Sequence, residues 1–168
     1  MQDSPFHIRR ATAADADTVA ALAAELAQSF PFSRAAFDQL YPAVLAAPDA
    51  CLLLAIDGDP DAGSDSDPDS DPDGSAGQAS AVGYLLGFQH PAFFANGPVA
   101  WVEEVLVRPE YRGRGAGRAL MTAFEQHAMG QGCRLVALAT RRAAAFYQAL
   151  GYQESAIYFR KVLGGTSG

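Results

Sequence analysis

Between residues 103 and 118 the chain gathers the side chains most able to do chemistry. Glu103 and Glu104 are adjacent in an apolar run, followed by Val105, Leu106 and Val107. Then comes Arg108-Pro109-Glu110-Tyr111-Arg112-Gly113-Arg114-Gly115-Ala116-Gly117-Arg118. A strand that runs straight into a glycine-rich turn and then a helix makes an anion site. The first helical turn carries N–H groups with no internal partner, and the helix dipole adds positive potential. Glycines at 113, 115 and 117 let ligand oxygens approach the backbone, while Arg112, Arg114 and Arg118 add charge. The segment from Gly113 to Arg118 therefore reads as a pyrophosphate cradle. It lacks the Gly-Lys-Ser/Thr ending of a P-loop. Nor is it the dinucleotide fingerprint, which belongs to the first strand of a βαβ unit, because this turn follows a late strand. On the glycines alone an ordinary structural turn competes with this reading. The arginines and the strand–turn–helix setting favour the cradle.

The glutamate pair is unusual for a strand that should be central. Alternation puts Trp101, Glu103, Val105 and Val107 on one face and Val102, Glu104 and Leu106 on the other. A solvated or salt-bridged pair is the bland alternative to a working carboxylate.

The elements that must position these residues follow from periodicity and punctuation. A short strand covers His7 to Arg10. Thr12 caps a helix over about Asp15 to Gln28, with Val19, Leu22, Ala23 and Leu26 at helical spacing, and Pro31 breaks it. Ser33 caps a second helix from Arg34 to Leu45. Strands are expected over Cys51–Ile56, Ala81–Gln89 and Val99–Val107. The helix after the turn runs to about Met129, with Leu120, Phe124 and Ala128 on one face, and Gly130 and Gly132 stop it. A strand over Arg134–Ala139, a helix over Arg142–Leu150 and a last strand over Ser155–Leu163 complete the chain. The order β-α-α-β-β-β-α-β-α-β is that of an α/β domain with a mixed, mostly antiparallel central sheet flanked by helices.

Composition narrows the function classes. A chain of 168 residues, 49% apolar, suits one globular domain. No window holds the ~18 uninterrupted apolar residues of a membrane helix. Met1-Gln2-Asp3-Ser4-Pro5 lacks the basic and apolar regions of a signal peptide. Cys51 and Cys133 match no metal spacing and read as reduced thiols, so the expected location is cytoplasmic and no metal is expected. The net charge of −7 belongs to one segment, because eight of the nineteen acids are aspartates between residues 57 and 73. The remainder holds eleven acids against twelve bases, with no basic stripe for nucleic acid. Asp57 to Ser80, built of Asp, Ser, Gly, Pro and Ala with a single Gln, is expected to be a disordered insertion. Within it, Asp69-Ser70-Asp71-Pro72-Asp73-Gly74 matches the first half of a calcium loop. The twelfth position is Ser80 rather than glutamate and no helices flank it, so a solvated linker is the expectation.

Three blocks in order resemble the GCN5-related N-acetyltransferase (GNAT) family. Val105 to Gly117 resembles its acetyl-CoA signature R/Q-x-x-G-x-G/A, filled by Arg112, Gly115 and Gly117. Ala145-Phe146-Tyr147-Gln148-Ala149-Leu150-Gly151-Tyr152 resembles its F-Y-x-x-x-G-F/Y segment, and Ile8 to Asp15 its first strand and helix start. Ile8–Asp15 and Glu103–Val107 look most like the diamine/thialysine branch.

The resemblance implies one GNAT domain over 1–168, acetyl-CoA as co-substrate, and direct acetyl transfer to a primary amine of a small molecule in a ternary complex. An ammonium must lose a proton before its nitrogen attacks, and a carboxylate within reach takes it. By matching to that branch Glu103 holds the base position, with Glu104 in reserve. Tyr147 stands at the family's general-acid tyrosine. Backbone groups of Val105, Leu106 and Val107 would pair with the pantetheine arm, and Gly113, Ala116 and the rest of 112–118 would hold the phosphates. Thr140 occupies the place of an asparagine that helps hold the arm. The acceptor pocket would draw on Phe30, Phe32 and Tyr41, on His90, Phe93 and Phe94, and on Tyr158. Partners are expected to be the small-molecule amine and, as one option, a second copy of the chain in a homodimer. A protein N-terminus or lysine is the alternative acceptor. A non-catalytic acetyl-CoA sensor is the alternative class, against which Tyr147 and the glutamates count.

Overall fold

Leucine- and valine-rich runs buried on both faces make the centre of the sheet. In the computed structural model, which describes residues 5–26, 30–58 and 80–163, every residue from Ala50 to Ile56 is buried. The strands are β1 (Phe6–Arg10), β2 (Ala50–Asp57), β3 (Ser80–Ala92), β4 (Gly97–Val107) and β5 (Val136–Leu138), in the spatial order β1-β2-β3-β4-β5. The first three pairings are antiparallel and β4–β5 is parallel. A parallel neighbour needs a crossover, and α3 (Ala116–Gly130) supplies it. The chain divides into two compact units, Met1–Leu138 and Ala139–Gly168, and the whole sheet lies in the first.

The two faces of the sheet are covered by different helices. On one, α1 (Ala16–Leu26) and α2 (Arg34–Ala46) bring Val19, Leu22 and Tyr41 against Leu52, Leu54, Tyr84 and Leu106. Strand alternation sends Cys51 to the other face, where it meets Phe124 and Ala128 of α3. Gly87 matters on that face, because a Cβ there would run into the Phe124 ring. The helix that carries the glycine-rich turn therefore sits close on β3.

The start of α1 is fixed electrostatically. Arg9 donates to both Asp15 carboxylate oxygens, at 2.8 and 2.7 Å, and the Thr12 amide and hydroxyl donate to the same carboxylate at 2.7 and 2.9 Å. The Arg9 guanidinium holds the Asp15 carboxyl far below the usual carboxylate range, outweighing the opposing effect of burial, with Thr12 adding to the depression.

Most elements form where the pattern places them, with ends shifted by a few residues. The first helix begins as a 3-10 turn over Ala13–Asp15, and its expected end at Gln28 lies outside the described residues. Helix α2 continues through Pro42 to Ala46. The short strand near residue 136 covers only Val136–Leu138, and the last helix, α4, only Ala144–Ala149. Asp57 and Ser80 belong to β2 and β3; the rest of the aspartate-rich segment from 59 onward, with its calcium-like run, lies outside the described residues. One expectation fails. Residues 155–163 form no strand and join no ladder, and Ile157 and Phe159 are 82% and 87% exposed. The apolar, β-branched composition of that segment suits a strand, but such propensity expresses packing against neighbouring strands. Without a ladder partner the pattern has nothing to act through. No helix among the described residues is long and apolar enough to cross a membrane.

Two stability predictions follow from these contacts. Gly87→Val overpacks the Phe124 contact and should cost about 1–3 kcal/mol, read as a lower urea midpoint. Asp15→Asn should cost about 1–2 kcal/mol at neutral pH, tempered because Arg9 is 39% exposed. Asp15 is depressed in the folded state, so its contribution is complete above the unfolded carboxylate value of about 4 and is lost as pH falls below it. Wild type and Asp15→Asn should therefore converge in stability on acidification, and a constant gap down to low pH would refute the assignment.

Candidate active site

The C-terminal half of β4 is built differently from its N-terminal half. Ala100, Trp101 and Val102 pair with Val136, Ala137 and Leu138 of β5. Beyond Val102 the strand keeps its β3 neighbour but has no strand on its other side among the described residues. At the same point the β3–β4 register slips: Leu86 faces Glu104, Gly87 faces Val102, and Glu103 is the extra residue. Bulges re-aim side chains and interrupt pairing, and they recur beside active sites. Residues 103–107 thus present one edge that pairs with no other strand among the described residues.

The two glutamates meet different surroundings. Glu103 is exposed. Glu104 is half-buried, and its Oε2 accepts a 2.7 Å hydrogen bond from the Tyr84 hydroxyl on β3. Tyr84 is 1% exposed. Burial, then the neighbouring carboxylate, pushes its phenol far above the usual tyrosine range, so it stays a donor. The pattern of the sequence offered one signal for this contact: a buried tyrosine hydroxyl needs a partner, and Tyr84 stands in an otherwise apolar strand. Pairing it with Glu104 required the register.

The turn that follows has the backbone its glycines were expected to supply. Gly113 and Gly115 adopt φ of +74° and +100°, values that disfavour any side chain, and a Cβ at either would meet open space. Gly115 caps α3, so the first-turn amides of that helix open onto this space. The arginines divide. Arg112 donates through Nε to the Val107 carbonyl at 3.0 Å, tying the turn to the strand end. Arg114 lies 5.4 Å from the Phe6 ring centre and 5.2 Å from that of Tyr111, and reaches to 3.8 Å from Asp57. It secures the turn to β1 and β2 as well as adding charge. Arg118 is exposed on the first turn of α3. Exposed backbone donors, open space over two glycines and local positive charge suit a diphosphate.

The other two site residues lie in the second unit. Tyr147 is half-buried on α4, edge-on to Phe146 and Tyr152 with ring centres 5.0 and 5.9 Å away. Burial pushes its phenol upward, so it is protonated at neutral pH and able to donate. Thr140 is exposed, and its hydroxyl oxygen accepts from the Ala143 amide at 3.1 Å, leaving its own proton to donate.

The aromatics expected around an acceptor scatter. Tyr41 is buried and gives its hydroxyl to the Thr12 carbonyl at 2.7 Å, so it belongs to the core. Phe32 packs on Phe37, and Phe30 is exposed. Phe93 and Phe94 are exposed at the tip of the β3–β4 hairpin, roughly 20 Å along the strands from Glu104 at ~3.3 Å per residue. His90 lines an open depression of about 290 Å³ with Asp49, Gln89 and Gln131, at that same end. Tyr158 is exposed in the second unit.

A sequence model of the Acetyltransferase (GNAT) family matches residues 20–152. An aminoglycoside N(6')-acetyltransferase type 1 of Stenotrophomonas maltophilia is 35% identical over 74 residues, 40% of this chain and 48% of that protein. The match thus spans about half the length of that relative. Among solved structures, a glucosamine-6-phosphate N-acetyltransferase from Arabidopsis thaliana aligns with a TM-score of 0.74 at 17% identity, covering 95% of this chain and 99% of that one. The aminoglycoside N-acetyltransferase AAC(6')-Iy, solved in complex with CoA, aligns with a TM-score of 0.69 at 21% identity, covering 93% and 94%. At such identities the structural likeness is one of fold.

The divided roles of the arginines are testable. Arg114→Ala removes two ring contacts and should lower stability by about 1 kcal/mol. Arg118→Ala should leave the melting temperature unchanged while weakening binding of a diphosphate ligand. Equal melting shifts for both variants would contradict this division.

Proposed function

Since the chain belongs to the Acetyltransferase (GNAT) family, we propose that it transfers the acetyl group of acetyl-CoA to a primary amine of a small molecule by direct attack. One observation carries this reading: the edge of residues 103–107, unpaired with any second strand among the described residues, leads within a few residues into the positive-φ glycine turn at the start of α3. That arrangement fits an elongated ligand with an amide-rich arm and a diphosphate. The arm would add to the strand edge through backbone hydrogen bonds, and the diphosphate would lie on the helix N-terminus with arginine charge around it.

The chemistry follows from the roles that the resemblance gives these residues. A carboxylate of the Glu103–Glu104 pair takes the proton from the acceptor ammonium. The freed nitrogen attacks the thioester carbon, and backbone N–H groups of residues 105–107 stabilise the charge that builds on the carbonyl oxygen. The C–N bond forms as the C–S bond breaks; the departing sulfur takes the proton that the resemblance assigns to the Tyr147 hydroxyl, and the second proton of the attacking nitrogen passes through water to restore that phenol. A small acceptor with several amines is in keeping with the aminoglycoside-acetylating relative that aligns over part of the chain.

The experiment is thiol release from acetyl-CoA with spermidine, lysine, kanamycin and a lysine-containing peptide as acceptors. Turnover with a small polyamine-like acceptor supports the reading, and turnover confined to the peptide replaces the acceptor class. Gly115→Val should weaken acetyl-CoA binding strongly in calorimetry, and should also lower the melting temperature, because the φ of +100° disfavours a side chain. Tyr147→Phe should lower kcat by ~10²-fold or more with little change in acetyl-CoA affinity. Acetyl-CoA binding without turnover on any acceptor would instead mark a sensor.

A further inference from the structure

Tyr84 gives its hydroxyl to a carboxylate rather than to a backbone carbonyl, and that carboxylate stands at the register slip. The phenol ring is held on every side by the core between the sheet and the first two helices. Tyr84 packs with Val19, Leu22, Tyr41, Leu54 and Leu106. Glu104 sits on the neighbouring strand opposite Leu86, which packs on the same cluster. A rigid donor thus fixes one oxygen of a side chain that otherwise has several rotamers to lose. Glu103, one residue away, is exposed and is the extra residue of the bulge.

We propose that Tyr84 is a positioning residue for acetyl transfer, fixing Glu104 as the carboxylate that takes the proton from the acceptor amine. The inference rests on the acetyl-transfer reading above. The hydrogen bond occupies one lone pair of Oε2 and leaves Oε1 to accept. The proton passes from the ammonium nitrogen to Glu104, and the nitrogen pair so released forms the C–N bond. The electron pair of the C–S bond leaves on sulfur, the second proton of the attacking nitrogen is lost through water as sulfur takes one up, and Glu104 returns the first proton to water. A base held in place before the amine arrives does not have to be ordered in the transition state. Two ionisable side chains on the helices that cover this face have other commitments. Tyr41 is bonded to the Thr12 carbonyl, and Glu25 of α1 is paired with Arg108 at 3.1 Å.

The test is a double-mutant cycle on the full chain, with the acceptor of the spermidine, lysine, kanamycin and peptide set that the wild type turns over fastest. Tyr84→Phe keeps the ring and removes the donor. It should lower kcat about tenfold, with the KM for acetyl-CoA within about twofold of wild type. Glu104→Gln should lower kcat by ~10²-fold or more. In the Glu104→Gln background, adding Tyr84→Phe should cause no further loss, because the hydroxyl acts only through that carboxylate. A purely structural tyrosine would lower kcat equally in both backgrounds, and that result would overturn the proposal. So would full activity in Glu104→Gln, or a normal rate in Tyr84→Phe. If Tyr84→Phe fails to fold, Glu104→Asp keeps the charge but withdraws it from the phenol. It should lose about tenfold in kcat while Glu103→Asp does not, and the reverse order would overturn the assignment. Absence of turnover by the wild type with every acceptor would overturn the acetyl-transfer reading and this one with it. Normal wild-type turnover with an unimpaired Glu104→Gln would overturn only the roles of Tyr84 and Glu104.

Discussion

The slip of one residue between β3 and β4 is the constraint on which the candidate site depends. Up to Val102, β4 is an interior strand with neighbours on both sides. From Glu103 onward no second strand flanks it among the described residues. An unsatisfied edge is a liability that proteins usually cover, and the proposed cofactor arm would cover this one. The same slip sets the two glutamates in unlike surroundings, one exposed and one held by a buried phenol. Gly87, at the slip, lets Phe124 approach the strand, and Phe124 belongs to the helix whose first turn is the glycine cradle. One irregularity therefore connects the edge, the carboxylates and the glycine turn.

How much of this was legible in the sequence depends on how local each feature is. The backbone of the glycine turn was legible because its requirement is local. Gly113 and Gly115 adopt positive φ, a conformation that residue type alone announces. The helices and the four long strands were legible because periodicity and capping act over a few residues. The Tyr84–Glu104 bond was not, since it joins residues 20 apart in sequence through a register that no local pattern reports. Strict alternation would also miscount faces across a bulge, where two residues oppose one. The segment 155–163 shows the opposite error. Its composition is that of a strand, and strand propensity without a ladder predicts nothing.

The arginines of the turn show why residue type is a poor guide to role even where a motif is specific. Arg112, Arg114 and Arg118 all read as phosphate ligands. In the structure the guanidinium of Arg112 caps the Val107 carbonyl, and Arg114 lies against Phe6 and Tyr111 with Asp57 nearby. A guanidinium can stack and hydrogen-bond at once, because its donors lie in the plane and its faces are free. Charge at the cradle is thus partly a by-product of holding the cradle in place. This arrangement has an energetic logic: an arginine already ordered by ring contacts loses less side-chain entropy when an anion arrives than one drawn from solvent.

The same reasoning applies to the base. A free glutamate on a strand edge would approach its substrate from many rotamers, and an amine that must be deprotonated would wait on the rare productive one. Ordering Glu104 through Tyr84 shifts that cost from the catalytic step to folding, where the core around Val19, Leu22 and Leu54 already holds the ring. The penalty for burying a phenol is met by the same hydrogen bond that orients the carboxylate. Stability and positioning are then not in competition at this site. The bond that satisfies the core is the bond that aims the base, and separating the two experimentally requires a variant such as Tyr84→Phe that removes the hydroxyl while preserving the packing.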